Sequence, residues 1–433
     1  MSGGRFAITA PRVVTCDPAR ARPGDALGVV EDGAILVEDG VIVAVGPRAE
    51  VLARLDSAGG GGGGGGGGEE KVRVFAAPGV ITPGLVDAHT HAPWMGSRDA
   101  EYAVRLAGGD YEAIAAAGGG IVATMRAVRT ASVEAIQATL AARLRRMAAL
   151  GVTTVEAKSG YGLDEASERR QLDAVAEAGR DPSLPRVVPT YLALHAVPPE
   201  AAGDREAYAR VVGERWLPAM AAAGLCRYVD AYVDRSAFSV AQARPVLEKA
   251  RALGLGVRLH AGQFADVGAV EFAAELGAAS ADHLEVVGPA GIAAMGAAGV
   301  AAVLLPVASF TLRQAPPPVD ALRAAGVPLV VASDANPGTA PTESLPLAMA
   351  FGARLYGLTV PEVILGATRE AARTLGLAEV TGALRGGLQA DLVAWDLPHE
   401  NALIQPWGAP RTTAVVRGGT VLAGGFDAVP SEG

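Results

Sequence analysis

From residue 80 onward the chain repeats one unit eight times: a short apolar run, then a longer stretch of helical periodicity. The runs lie near 84–89, 152–157, 186–195, 228–233, 256–260, 279–283, 300–305 and 327–334. Between them, stretches such as 133–147 carry apolar residues at i, i+3, i+4 and i+7, a helix with one buried face. Short, nearly continuous apolar strands alternating with helices predict parallel βα units buried on both faces. Eight units over roughly 250 residues is the count of a closed barrel, so the expected fold class is α/β, a TIM-type (β/α)8 barrel.

The flanks follow a different pattern. Apolar runs at 26–30, 34–37 and 41–45 are separated by Asp32-Gly33 and Asp39-Gly40, both hairpin signals. The C-terminal part returns to short alternating runs at 390–395, 412–417 and 420–423, with Gly418-Gly419 between the last two. Neither flank is large enough to stand alone, so the two are expected to pair into one small β-sheet domain, a β-sandwich, outside the barrel. The expected division is 1–80 with 385–433 as this composite domain, and 81–384 as the barrel. Ten consecutive glycines, 59–68, cannot pack side chains and read as a solvated loop insertion in the small domain.

Composition excludes several classes of function. Half of the residues are hydrophobic and 19% are charged, a globular balance. A net charge of −9 without a long basic run predicts no nucleic-acid partner. Two cysteines, Cys16 and Cys226, are too few for a disulfide framework or a cysteine zinc site and suit a reducing cytoplasm. No apolar window reaches ~18 residues, so no membrane insertion is expected. A small-molecule partner fits this balance, and a homodimer is left open.

Five of the six histidines, His89, His91, His195, His260 and His283, fall at the C-terminal ends of the expected barrel strands; His399 does not. That end is where a barrel builds its site. His89 and His91, two apart on a strand, share one face. Asp334 closes the eighth run, where a carboxylate is costly unless paired or metal-bound. Three imidazole nitrogens and one carboxylate oxygen suit Zn²⁺ or iron (Fe²⁺/Fe³⁺) at ~2.0–2.2 Å, with a position left for water. The assigned ligands are His89, His91, His260 and Asp334. A single ion is favoured, because Tyr228-Val-Asp-Ala-Tyr-Val-Asp234 offers no lysine on the fourth strand to carry a bridging group. A metal-activated water attacking an sp² carbon, Asp334 moving the proton and His283 polarising a carbonyl or holding the water together point to hydrolysis of an amide-like or amidine-like bond.

These residues resemble a known group. Pro83-Gly-Leu-Val-Asp-Ala-His-Thr-His91, Ala281-Asp-His283 and Ser333-Asp334 look like the amidohydrolase superfamily. Arg105-Leu-Ala-Gly-Gly-Asp-Tyr-Glu-Ala-Ile114, Ala117-Gly-Gly-Gly-Ile121, Glu156-Ala-Lys-Ser-Gly-Tyr-Gly-Leu163, His195-Ala-Val-Pro198 and Asn336-Pro-Gly338 are similar to the imidazolonepropionase family of histidine degradation. The resemblance implies hydrolytic opening of 4-imidazolone-5-propanoate to N-formimidoyl-L-glutamate. It implies substrate positions at Arg98, Tyr161, His195, Gln263, Asn336, Gly338 and Thr339. A propanoate carboxylate calls for a planar fork of donors, which fits Arg98. One departure matters: where many members of that family have an acidic residue, this chain reads His260-Ala-Gly-Gln263. A glutamine orients a ring or a water but is no general base, so proton transfer is expected to rest on Asp334 and His283. Ala335, where the family often has a bulkier residue, is a smaller departure. Two rival readings are deamination of a cyclic amidine by the same barrel and metal, and a non-catalytic barrel binding imidazole-type ligands, for which Gln263 is the sole support.

Overall fold

The structure, a computed structural model, describes residues 4–57, 73–108, 119–235, 237–405 and 407–429. The glycine run 59–68, residues 109–114 and residues 117–118 lie outside the described residues. Each of the eight expected runs forms a strand: Leu85–Asp87, Val152–Lys158, Arg186–Leu194, Tyr228–Val233, Gly256–Ala261, Ser280–His283, Ala301–Leu304 and Leu329–Val331. They pair in sequential order, and every pairing is parallel.

The first and eighth strands are shorter than expected because their C-terminal ends leave the regular ladder to close the barrel. Closure runs through a parallel bridge between Thr90 and Ala335. Asp334 N donates to His89 O and His91 N to Ala335 O, both at 3.0 Å. The seam therefore sets the His-Thr-His segment beside Asp334.

The helices follow from local sequence. Val133–Ala149 starts at Ser132, whose side chain accepts from Ala135 N, and it buries Ile136, Leu140, Leu144 and Met147 along one stripe. Each of these side chains contributes about 1.5–3 kcal/mol on burial. Glu165–Arg180 is capped in the same way by Asp164, which accepts from Ser167 N.

The flanks form a second, mixed sheet. Its main path runs Thr420–Gly424, Thr412–Arg417, Leu392–Trp395, Val80–Pro83, Arg5–Val14, Val29–Glu38 and Val41–Pro47, while Arg73–Ala76 pairs with Arg5–Val14 off this path. The expected small β domain is one branched hydrogen-bonded sheet, in which Arg5–Val14 pairs along one edge with Val29–Glu38 and along the other with two strands in succession. Asp39-Gly40 is the expected hairpin turn, with φ of +48° and +79°. Asp32-Gly33 is not a turn. It lies inside the continuous strand Val29–Glu38, where Asp32 (φ +42°) is a local irregularity.

Val80–Pro83 links the two flanks, parallel to Arg5–Val14 and antiparallel to Leu392–Trp395. Gly84 then carries the chain into the first barrel strand. Any Cβ there would stand 2.1 Å from Thr153 Oγ1, so only glycine passes. Val14, Val393, Trp395 and Val415 of the outer sheet share one apolar cluster with Leu85, Met147 and Val152 of the barrel unit. Cys16 and Cys226 are buried and unbridged. Among the described residues, no helix is long and apolar enough to cross a membrane.

Candidate metal centre and active site

Five histidines meet at the C-terminal mouth of the barrel. His89, His91 and His260 form a buried group whose ligand atoms lie within 4.8 Å of one another. His260 Nε2 is 3.4 Å from His91 Nε2, and Asp334 Oδ1 lies 3.4 Å from His91 Nε2 and 3.5 Å from His89 Nε2. Ligand atoms held tetrahedrally at ~2.0–2.2 Å from one cation stand ~3.3–3.6 Å apart, a range into which these three of the six spacings fall. His89 Nε2 and Asp334 Oδ1 are buried and have no hydrogen-bond partner, a pair of acceptors that a cation bound between them would satisfy. Burial works against the Asp334 anion, but its contacts with His89 and His91 outweigh that and hold its carboxyl well below the usual range. Burial likewise lowers His89 and His91, which keeps them neutral and able to ligate. The site therefore suits a divalent metal.

Asp334 has φ of +54°, and His283 and Leu284 have φ of +83° and +75°. Non-glycine residues there cost on the order of 1–3 kcal/mol, and such strain gathers at functional sites. The neighbouring hydrogen bonds that hold Asp334 start at Asp87, which accepts from Ser333 N (3.0 Å) and Ser333 Oγ (2.6 Å). Burial pushes the Asp87 carboxyl up to about 7 despite these bonds.

Below the histidines lies a fully buried ionic cluster of Glu156, Lys158, Asp230, Arg258 and Asp282. Lys158 Nζ is 2.9 Å from Glu156 Oε1 and 2.8 Å from Asp230 Oδ2, while Arg258 Nε is 3.1 Å from Glu156 Oε1. Two cations face three carboxylates, so the cluster leaves net negative charge under the histidine group. Asp282 Oδ2 lies 2.6 Å from His89 Nδ1, and Asp230 Oδ2 3.0 Å from His260 Nδ1, although outside hydrogen-bonding angles. Sequence reading missed this cluster. Its signal was the period of two: Glu156 with Lys158, and Arg258 with His260, sit on one face of strands that otherwise read as apolar.

The expected substrate residues surround the same mouth. His195 stacks on His91 with ring centroids 5.3 Å apart, and Tyr161 lies 5.1 Å from His195. Burial first, then His91 and His260, holds His195 well below its usual pKa. Its Nδ1 donates to Gly160 O at 2.8 Å, which leaves Nε2 as an acceptor. The loop bearing Tyr161 is held by two residues the sequence reading did not single out. Glu168 accepts from Gly160 N, Gly162 N and Leu163 N at 2.7–2.8 Å, and Gln171 accepts from Tyr161 N at 3.2 Å.

Gln263 is fixed by Tyr232, whose hydroxyl donates to Oε1 at 2.8 Å. His283 Nδ1 is 3.9 Å from Glu285 Oε2, too far for a hydrogen bond. Asn336 spends its amide on its own turn: Oδ1 accepts from Gly338 N and Thr339 N at 2.8 Å, and Nδ2 donates to Asp334 O at 2.7 Å. Arg98 is not a surface arginine. Its side chain is 9% exposed, its Nε donates to Glu101 Oε2 at 2.9 Å, and it packs on Gly338 so closely that a Cβ there would be 2.3 Å from Nη1. The sixth histidine, His399, stands apart as a helix cap accepting from Asn401 N.

The chain matches the amidohydrolase family over residues 80–422 and an imidazolonepropionase-like composite domain of bacteria over residues 33–55. It is 46% identical over 402 residues to an imidazolonepropionase of Chromobacterium violaceum, covering 92% of this chain and 93% of that one. An imidazolonepropionase of Acidiphilium cryptum is also 46% identical, over 94% of this chain and 97% of its own. Among solved structures, a zinc-bound adenosine deaminase from Xanthomonas campestris superposes with a TM-score of 0.67 at 20% identity, covering 97% of this chain and 93% of that one. Guanine deaminase of E. coli does so with a TM-score of 0.69 at 14% identity, covering 98% and 100%. Those two likenesses bear on the fold alone, whereas identity of this level along nearly the whole length, over a barrel with this histidine group at its mouth, means that the chain belongs to the imidazolonepropionases of the amidohydrolase family.

Proposed function

We propose that this chain hydrolyses 4-imidazolone-5-propanoate to N-formimidoyl-L-glutamate, using one divalent cation per subunit, Zn²⁺ or iron, held by His89, His91, His260 and Asp334. The observation that supports this reading is the buried group of His89, His91 and His260, with Asp334 Oδ1 3.4–3.5 Å from the Nε2 atoms of His91 and His89, in a member of this family. A cation held by these residues would lower the pKa of a water to about 7 and so would supply a nucleophile at neutral pH.

The chain's own residues do the rest. Water adds to the ring carbonyl carbon, the bond from that carbon to the ring nitrogen breaks, and the carbon becomes the new carboxylate. Asp334 takes a proton of the water and passes it to the nitrogen released from that carbon, which stays in the product as the terminal nitrogen of the formimidoyl group. His283 polarises the carbonyl oxygen. Gln263 orients the water through an amide fixed by Tyr232. His195 Nε2 accepts from a ring N–H, and Tyr161 packs beside it. Arg98, with Nε held by Glu101, presents its remaining N–H groups to the propanoate carboxylate across Gly338 and Thr339.

The test is a substrate assay with metal analysis on the same preparation. Formimidoylglutamate without ammonia, from protein carrying about one metal per chain, is the expected result; stoichiometric ammonia would assign deamination instead. In this reading residues 1–80 and 385–433 form a composite domain in the cytoplasmic enzyme, and the run 59–68 belongs to that domain. Deleting 59–68 and closing the gap with a short turn is expected to leave turnover unchanged, since loop entropy varies slowly with length. A large fall in turnover at an unchanged unfolding midpoint would show that the run reaches the site.

A further inference from the structure

Lys158 has no part in the chemistry above, yet its ammonium is fully buried directly under the histidine group. Its Nζ is 2.8 Å from Asp230 Oδ2 and 3.7 Å from Asp282 Oδ2. These are the same two oxygens that face His260 Nδ1 at 3.0 Å and His89 Nδ1 at 2.6 Å. Asp230 is on the fourth barrel strand and Asp282 on the sixth, flanking His260 on the fifth, with Asp282 directly opposite His260 in the ladder. The third contact, Glu156 Oε1 at 2.9 Å, lies on the lysine's own strand. Lys158 also ties in the segment that follows the first strand, because its backbone N donates to Thr90 O between His89 and His91 at 2.9 Å.

We propose that Lys158 is a positioning residue for the metal centre: it holds Asp230 and Asp282 in the places from which they fix the Nδ1 edges of His260 and His89. At His89 the hydrogen bond from Nδ1 to Asp282 Oδ2 keeps the proton there and leaves the Nε2 lone pair facing the histidine group, while at His260 the Asp230 carboxylate, 3.0 Å from Nδ1 without a hydrogen bond, favours the same tautomer by its charge. One ammonium thus sets the tautomer and tilt of two rings on different strands. Without it, two anions on either side of His260 would repel, and each would move off its ring. The inference rests on the reading that His89, His91, His260 and Asp334 hold a cation.

Lys158→Met alone would leave three carboxylates facing one arginine and would threaten folding. The working variant is therefore Lys158→Met combined with Glu156→Gln, which removes one charge of each sign. The full-length proteins are stripped of metal, and zinc affinity is measured by chelator competition, with far-UV circular dichroism and thermal midpoint as checks of folding. The visible spectrum of the cobalt(II)-substituted protein reports the ligand field. We expect the double variant to fold, to bind zinc about 10–100-fold more weakly, as loss of an outer partner typically does, and to show an altered cobalt spectrum. Glu156→Gln alone is expected to keep the affinity and spectrum of the unaltered chain. Unchanged affinity and spectrum in the double variant would overturn the proposal. Equal loss in Glu156→Gln alone would also overturn it, because the effect would then belong to the cluster as a whole. An unaltered chain that takes up no zinc would overturn the reading of the metal site itself, and this inference with it.

Discussion

Replacing His260 with alanine is expected to strip the protein of most of its metal while the barrel still folds. The imidazole sits between His91 Nε2 at 3.4 Å and Asp230 Oδ2 at 3.0 Å, so its removal takes one of the three grouped imidazoles and, in the proposed reading, one of the four ligands. Asp230 keeps Lys158 at 2.8 Å, so the substitution strands no buried charge. The strand Gly256–Ala261 keeps its ladders on both sides, which is why the fold is expected to survive. Loss of an outer partner alone costs about 10–100-fold in affinity or activity, and loss of a ligand should cost more than ~10²-fold. Elemental analysis and far-UV circular dichroism on the same sample check this. Full metal content in a folded variant would remove His260 from the ligand set, and with it the single-ion geometry.

Arg98→Met is expected to lower kcat/KM for imidazolone propanoate by roughly 10²-fold or more with metal content intact. Methionine keeps an apolar stem of similar reach but no donor, so the substrate carboxylate loses a charge-assisted pair. That loss typically costs ~2–5 kcal/mol in a desolvated pocket, and each ~1.4 kcal/mol is tenfold. The structure adds a second contribution of the same sign. Glu101, relieved of Arg98 Nε at 2.9 Å, is left with Gly120 N at 2.9 Å and turns an uncompensated anion toward the incoming carboxylate. The control is an imidazolone lacking the propanoate arm, on which unaltered protein and variant should be similarly poor. If Arg98→Met still separates the two substrates as strongly as the unaltered protein, Arg98 does not read the carboxylate.

Strand periodicity and strand-end chemistry were local enough to be legible. All eight barrel runs appear, and the histidine group assembles where those runs end, because a barrel strand's C-terminal end is set by where its apolar stretch stops. Asp39-Gly40 was readable because a two-residue turn needs only its own two positive φ values. Asp32-Gly33 carries the same dipeptide but is overridden by the neighbouring Arg5–Val14, with which Val29–Glu38 pairs along its whole length.

By itself, then, the sequence determined how many barrel strands there are, which of their ends carry imidazole or carboxylate, and that the outer segments are β. Tertiary structure alone decided what those groups meet. The Thr90–Ala335 seam brings His89 and His91 to Asp334, from the opposite end of the barrel's chain order. Lys158 meets carboxylates on the fourth and sixth strands, and Arg98 meets Glu101 and Gly338. The reason is physical. Hydrophobic periodicity is a property of neighbours along the chain and can be read there, whereas the balance of buried charge is settled between strands far apart in sequence, where a lone ion would be too costly and only its partner makes it stable.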